Sequence, residues 1–119
     1  MSTRALIGYD ATPFGKTTKV LAVYLHYDGY PEHVLPILTE GYNSLDDAVK
    51  LIHCGADIRG LAHRVTDCDF FDRDAEPRVF NSVEDFRSSV NDYVEYLYLF
   101  VDGEWKVFKP GEDADGILA

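Results

Sequence analysis

Apolar positions fall into runs of two different periods. A short apolar run at residues 4–9 is followed by the turn-rich ATPFGKTT, and a second run at residues 20–27 is rich in aromatic and β-branched residues, so two antiparallel strands are expected. After Pro31 the spacing becomes helical, with apolar side chains at Val34, Ile37, Leu38 and Tyr42. Pro31 suits a first helical position, where its missing N–H loses no partner. Pro36 deletes the bond to the Glu32 carbonyl, which predicts either a distorted first turn or a regular helix starting only near His33.

NSLDDAVKLIHCG predicts a second helix. Ser44 is its cap, Asp46 and Asp47 face the positive end, Gly55 ends it, and Leu45, Val49 and Ile52 form the inward stripe. ADIRGLA reads as one further short turn, and HRVTDCDFFDRDAEP as an irregular or partly extended connection. NSVEDF repeats the cap chemistry with Ser82 and Asp85 and opens a helix over residues 83–91, with Val83, Phe86 and Val90 on one side. In VEYLYLFVDGEWKVF two apolar aromatic runs flank Asp102 and Gly103, the pair favoured in a two-residue type I′ turn, so a hairpin is expected. Residues 94–101 are apolar on both faces. Such a strand is central, covered by helices on one side and by loops, tail or a partner on the other.

Together these faces predict an α+β fold of two layers: a mostly antiparallel sheet of about four to five strands with two to three helices packed on one face. Residues 1–111 are read as a single domain and residues 112–119 as an acidic C-terminal tail.

Charge adds a constraint on partners. There are 21 acidic side chains against 11 basic ones, a formal net charge of -10. Phosphate backbones and anionic membranes are repelled by such a chain, so direct nucleic-acid and membrane binding are not expected. A protein with a basic surface is the expected kind of partner, because the same field steers association toward it. No run approaches the roughly 20 apolar residues that span a bilayer, and MSTRALIGYD lacks the regions of a secretory signal, so a cytoplasmic protein is expected. Cys54 and Cys68 are too few for a disulfide scaffold and too far apart for a CxxC element; both are read as reduced thiols.

Two stretches carry candidate chemistry. In HYDGYPEHV, period-two alternation puts Tyr24, His26 and Asp28 on one strand face and Val23, Leu25 and Tyr27 on the other, with Tyr30 and His33 close behind at the helix start. Two imidazoles and a carboxylate around an open position suit a zinc-type cation, and a His–Asp pair suits general-base work. The same residues equally suit a geometric joint, with Asp28 and Gly29 making the turn. In DCDFFDRDAE, the carboxylates fail the spacing of a calcium loop, since Asp72 falls where glycine is needed and Arg78 where the last ligand belongs. Phe70 and Phe71 rimmed by Asp67, Asp69, Asp72 and Asp74 instead suit a grip on a basic partner.

GxSxG, GxxxxGK[ST], HExxH and GxGxxG are all absent, and His53 beside Cys54 is only a sequence neighbour. Ser2 or Thr3 as an N-terminal nucleophile has no supporting motif. No cofactor signature is present, and catalysis is not expected.

MSTRALIG, YLHYDGYPEHV with ILTEGYNS, LIHCGADIRGL and the closing VEYLYLFVDGEWKVF resemble a small family of uncharacterised bacteriophage and prophage proteins with an N-terminal MSTR segment and a [HY]xDGYPxxV core. The resemblance spans most of the chain and differs at Tyr27, where Trp is common, and at Pro36, where the family helix is uninterrupted. It implies a phage setting in a bacterial host and no particular reaction. The expectation is therefore a small acidic accessory protein that binds a host or phage macromolecule, in counter-defence or host takeover. Two alternatives stand beside it: a metal or small ligand at the HYDGYPEHV corner, and a homo-oligomer built on the doubly apolar strand.

Overall fold

The two N-terminal apolar runs pair as expected. Strand β1 (Ala5–Asp10) lies antiparallel to β2 (Val20–Leu25), from Ala5 opposite Leu25 to Asp10 opposite Val20. The computed structural model describes residues 3–12, 19–54, 57–71, 76–88 and 94–109, and the backbone of 117–118. Gly55, Asp72, Asp74 and Val90 lie outside these.

Helix α1 (Pro31–Gly41) begins at the proline itself, with the N–H groups of His33 and Val34 both bonding to the Tyr30 carbonyl at 3.1 and 3.0 Å. A start near His33 is thus corrected: Pro36 sits within the helix on its exposed side and is tolerated there. Helix α2 (Leu45–Ile52) carries the expected cap, Ser44 Oγ accepting from the Asp47 N–H at 3.2 Å. Its buried stripe is Ala48, Leu51 and Ile52: Ile52 is buried as expected, whereas Leu45 and Val49 only flank the core. In ADIRGLA the chain forms strand β3 (Ile58–Gly60) in place of a turn. A 3₁₀ turn at Val65–Asp67 leads into β4 (Asp69–Phe70), and β5 (Arg78–Phe80) precedes α3 (Val83–Arg87), capped by Ser82 Oγ at 3.0 Å from the Asp85 N–H.

The closing hairpin forms as the Asp-Gly pair predicts. β6 (Tyr96–Val101) and β7 (Glu104–Phe108) are joined by Asp102 at φ 54° and Gly103 at φ 82°, both left-handed as a type I′ turn requires. Ile117 and Leu118, expected in a loose tail, pair with β7 as strand β8.

The fold is α+β and the sheet is mostly antiparallel, as expected, but it has more strands than expected and includes two parallel pairings. Among the described residues, eight strands form one sheet in the order β4-β3-β2-β1-β6-β7-β8, with β5 sharing the outer edge of β2. β1 is parallel to β6, and β2 is parallel to β3. The extra strands β3, β4, β5 and β8 are two or three residues long, too short to register a period in the sequence. The helices do not all share one face. Helices α1 and α2 cover Ile7, Val23, Leu25, Tyr98 and Phe100, whereas Phe86 of α3 packs with Leu6, Ala22, Leu97, Leu99 and Phe108 on the opposite side. The reason is β6, buried on both faces: each row of apolar side chains needs its own cover. Trp105, 1% exposed, donates its indole N–H to the Tyr42 carbonyl at 2.8 Å and ties the hairpin to the end of α1.

Cys54 is half-buried and Cys68 buried, and neither is in a disulfide. Among the described residues, no helix is long and apolar enough to cross a membrane.

Candidate functional site

The corner after β2 is shaped by backbone constraints. Beyond Leu25, the N–H groups of His26 and Tyr27 keep bonding to β3, at the Ile58 and Arg59 carbonyls (2.9 and 3.1 Å). Asp28 then enters the left-handed region at φ 56°. Gly29 follows, its N–H held by the Thr3 carbonyl at 2.7 Å. A Cβ at this position would stand 2.6 Å from that same oxygen, so only glycine fits. The Gly29 carbonyl in turn accepts from the Tyr98 hydroxyl at 2.6 Å, and Pro31 starts α1.

This geometry sorts the expected ligand set. Tyr24 and His26 do share a face, and the Tyr24 hydroxyl and His26 Nδ1 share a hydrogen bond of 2.8 Å. Burial raises the pKa of the Tyr24 hydroxyl; Arg4 and Arg78 pull it back and Asp57 adds to the rise. Asp28, displaced by its left-handed backbone, is exposed. His33 sits in the first turn of α1 with its ring 5.9 Å from that of Tyr30. Among the described residues, no three His, Cys, Asp or Glu side chains are grouped to hold a metal ion. The imidazole that was to work with Asp28 instead bonds a tyrosine.

What does converge on His26 is aromatic. Tyr27 was expected on the face of Val23 and Leu25; those two are buried whereas Tyr27 is 45% exposed, and its ring stands edge-on to His26 at 4.5 Å. The alternation fails because β2 ends at Leu25 and the Asp28–Gly29 turn redirects the chain. Phe71, 46% exposed, meets His26 edge-to-face at 5.5 Å. The two stretches singled out separately in the sequence are therefore one surface.

Charged groups frame this surface. The Arg59 guanidinium lies 4.6 Å over the Phe71 ring and 3.7 Å from the Asp69 carboxylate. Arg78 lies 5.7 Å from the Tyr24 ring and 3.0 Å from Asp57. Phe70, by contrast, is half-buried against the core, and Asp67 is exposed at the end of the 3₁₀ turn. Asp72 and Asp74 fall outside the described residues; of the expected acidic rim, Asp69 is tied to this surface by its ion pair with Arg59. Sequence reasoning did not find Asp57, Arg59 or Arg78; their only signal was a basic residue two positions after Asp57 in ADIRG, and that segment read as a turn.

Chemically, the arrangement offers two exposed aromatic rings held against a third by strand ends, with a guanidinium stacked on one and carboxylates at the edge. Aromatic and arginine side chains in such a setting are those that dominate protein interfaces. No family model, curated protein or solved structure matches the chain.

Proposed function

We propose that this chain is a small acidic accessory protein of phage type that binds a basic-surfaced host or phage protein in the bacterial cytoplasm, without catalysis of its own. The observation that carries the reading is the exposure of Tyr27 and Phe71 on either side of His26. A soluble domain gains nothing in stability from leaving two large rings in water, and rings pre-held by packing lose little freedom on binding. The net charge of -10 supports a basic partner. Counter-defence or redirection of host machinery is the role that suits such a protein, and the resemblance to phage and prophage proteins supports it.

The test is affinity capture from bacterial lysate at physiological salt with the unaltered chain and with Tyr27→Ser and Phe71→Ser combined. A stoichiometric basic protein held by the former and lost by the latter, at unchanged thermal midpoint, is expected. Absence of any stoichiometric partner, or equal capture by the double variant, would overturn the reading.

A further inference from the structure

A cleft of about 490 Å³ opens at the end of the sheet opposite the aromatic surface. Its position follows from topology. β1 and β6 are parallel neighbours, with Tyr9 opposite Phe100. From its carboxyl end β1 leads to β2 on one side, and from its own β6 turns back into β7 on the other. The cleft opens beyond these two carboxyl ends, where Asp10, Thr12 and residues 100–103 line it. The start of α2 closes the cleft over Leu45.

The lining decides what would enter. Leu45, Phe100 and Val101 give an apolar floor, Phe100 being 3% exposed. Asp10 and Asp102 stand at the ends of the two strands, and the described lining includes no Lys or Arg. Asp10 is positioned by its own turn, its Oδ1 accepting from the Thr12 N–H at 3.0 Å and the Thr12 hydroxyl at 2.6 Å. The positive end of α2 does not reverse this sign, because Ser44 already caps it and Asp46 and Asp47 occupy its first turn. The volume falls within the range of small-molecule sites. We propose that this cleft binds a small organic cation, a primary amine or guanidine carried on an apolar body, with the carboxylates of Asp10 and Asp102 meeting the charge. The proposal is independent of the aromatic surface and of any protein partner.

An amide-resolved NMR titration tests it, with phenethylamine and agmatine as probes and 2-phenylethanol as the uncharged control. The amines should give saturable shifts centred on Thr12, Leu45 and Gly103. Asp102→Asn keeps the turn, since Asn-Gly also favours type I′, and Asp10→Asn keeps an acceptor for Thr12. Each should weaken amine binding by about threefold to fivefold, and the double variant by about tenfold to twenty-five-fold. Equal binding of the uncharged alcohol, amine shifts unchanged in the double variant, or no saturable shifts at all would each overturn the proposal.

Discussion

The Tyr98 hydroxyl donates to the Gly29 carbonyl across 2.6 Å, and so fixes the corner between β2 and α1 to the middle of the central strand. Both residues are buried, so neither group has water as a substitute partner. Tyr98→Phe removes the donor and leaves the carbonyl alone in the core. A loss of about 1–3 kcal/mol in unfolding free energy is expected from urea denaturation. The aromatic surface should loosen with it, read as faster amide exchange at Tyr27 and Asp28.

The same burial sets the alkaline limit of the fold. Desolvation pushes the hydroxyls of Tyr98 and Tyr42 well above the ordinary tyrosine range, with Tyr96 and Glu32 adding to the rise at Tyr98 and the Cys68 thiol at Tyr42. In the unfolded chain both titrate near pH 10, so above that pH the native state holds more protons than the unfolded one. Their stabilisation is complete below about pH 10 and falls above it by up to about 1.4 kcal/mol per pH unit for each tyrosine. Thermal midpoints followed from about pH 8 to about pH 11, alongside tyrosinate absorbance, should show these two phenols ionising only as the protein unfolds. Tyr98→Phe should make the decline shallower. Ionisation of all the tyrosines in an intact fold would contradict the assignment.

Along the outer edge of β2, β5 pairs with Val20, Leu21 and Ala22 and β3 with Leu25, which leaves Tyr24 between them. Asp57 fills this gap: its Oδ1 accepts the Tyr24 N–H at 3.1 Å and its Oδ2 meets Arg78 at 3.0 Å. Asp57→Ala strands a backbone donor and should cost about 1–3 kcal/mol, whereas Asp57→Asn keeps the acceptor and should recover most of it. Arg78→Ala loses a half-exposed ion pair and a distant contact with the Tyr24 ring, an expected cost of about 1 kcal/mol. Chemical denaturation of the single and double variants gives the coupling between the two residues.

Ser44 and Ser82 solve one end problem twice, each accepting the N–H three residues on. Ser44→Ala and Ser82→Ala should each cost about 1 kcal/mol. The two caps belong to helices on opposite faces of the sheet, so the double variant should show the simple sum.

These caps, and the Asp102–Gly103 turn, were legible in the sequence because their chemistry closes within four residues. The helical spacing of Val34, Ile37 and Leu38 was legible for the same reason. β3, β4 and β5 were not. Three residues cannot display a period, and Ile58–Gly60 is a strand only because the edge of β2 offers it bonds. The opposite placement of α3 follows from the need to cover Leu97 and Leu99, a demand visible in the doubly apolar run but read as one for loops, tail or a partner. The candidate site was half legible. Tyr24 and His26 could be paired by alternation, but Tyr27 turns outward through a contact between Gly29 and Thr3 that no local pattern encodes. Phe71 reaches His26 only because β4 folds onto β3.

Charge and aromatic exposure should separate kinetically in partner binding. The net charge of -10 acts at long range, so association with a basic partner should slow by about tenfold or more as ionic strength rises from low to physiological values, while dissociation changes little. Phe71 acts at contact. Its ring is 46% exposed and touches His26 edge-on, so Phe71→Ser should leave stability within about 1 kcal/mol and the association rate near its original value. Its effect should fall on dissociation, faster by about thirtyfold if the ring contributes about 2 kcal/mol as an anchor. Surface plasmon resonance on the captured partner across a salt series reads both rates at once. An association rate indifferent to salt would remove the electrostatic steering, and a Phe71→Ser variant that dissociates no faster would remove the aromatic surface as the point of contact.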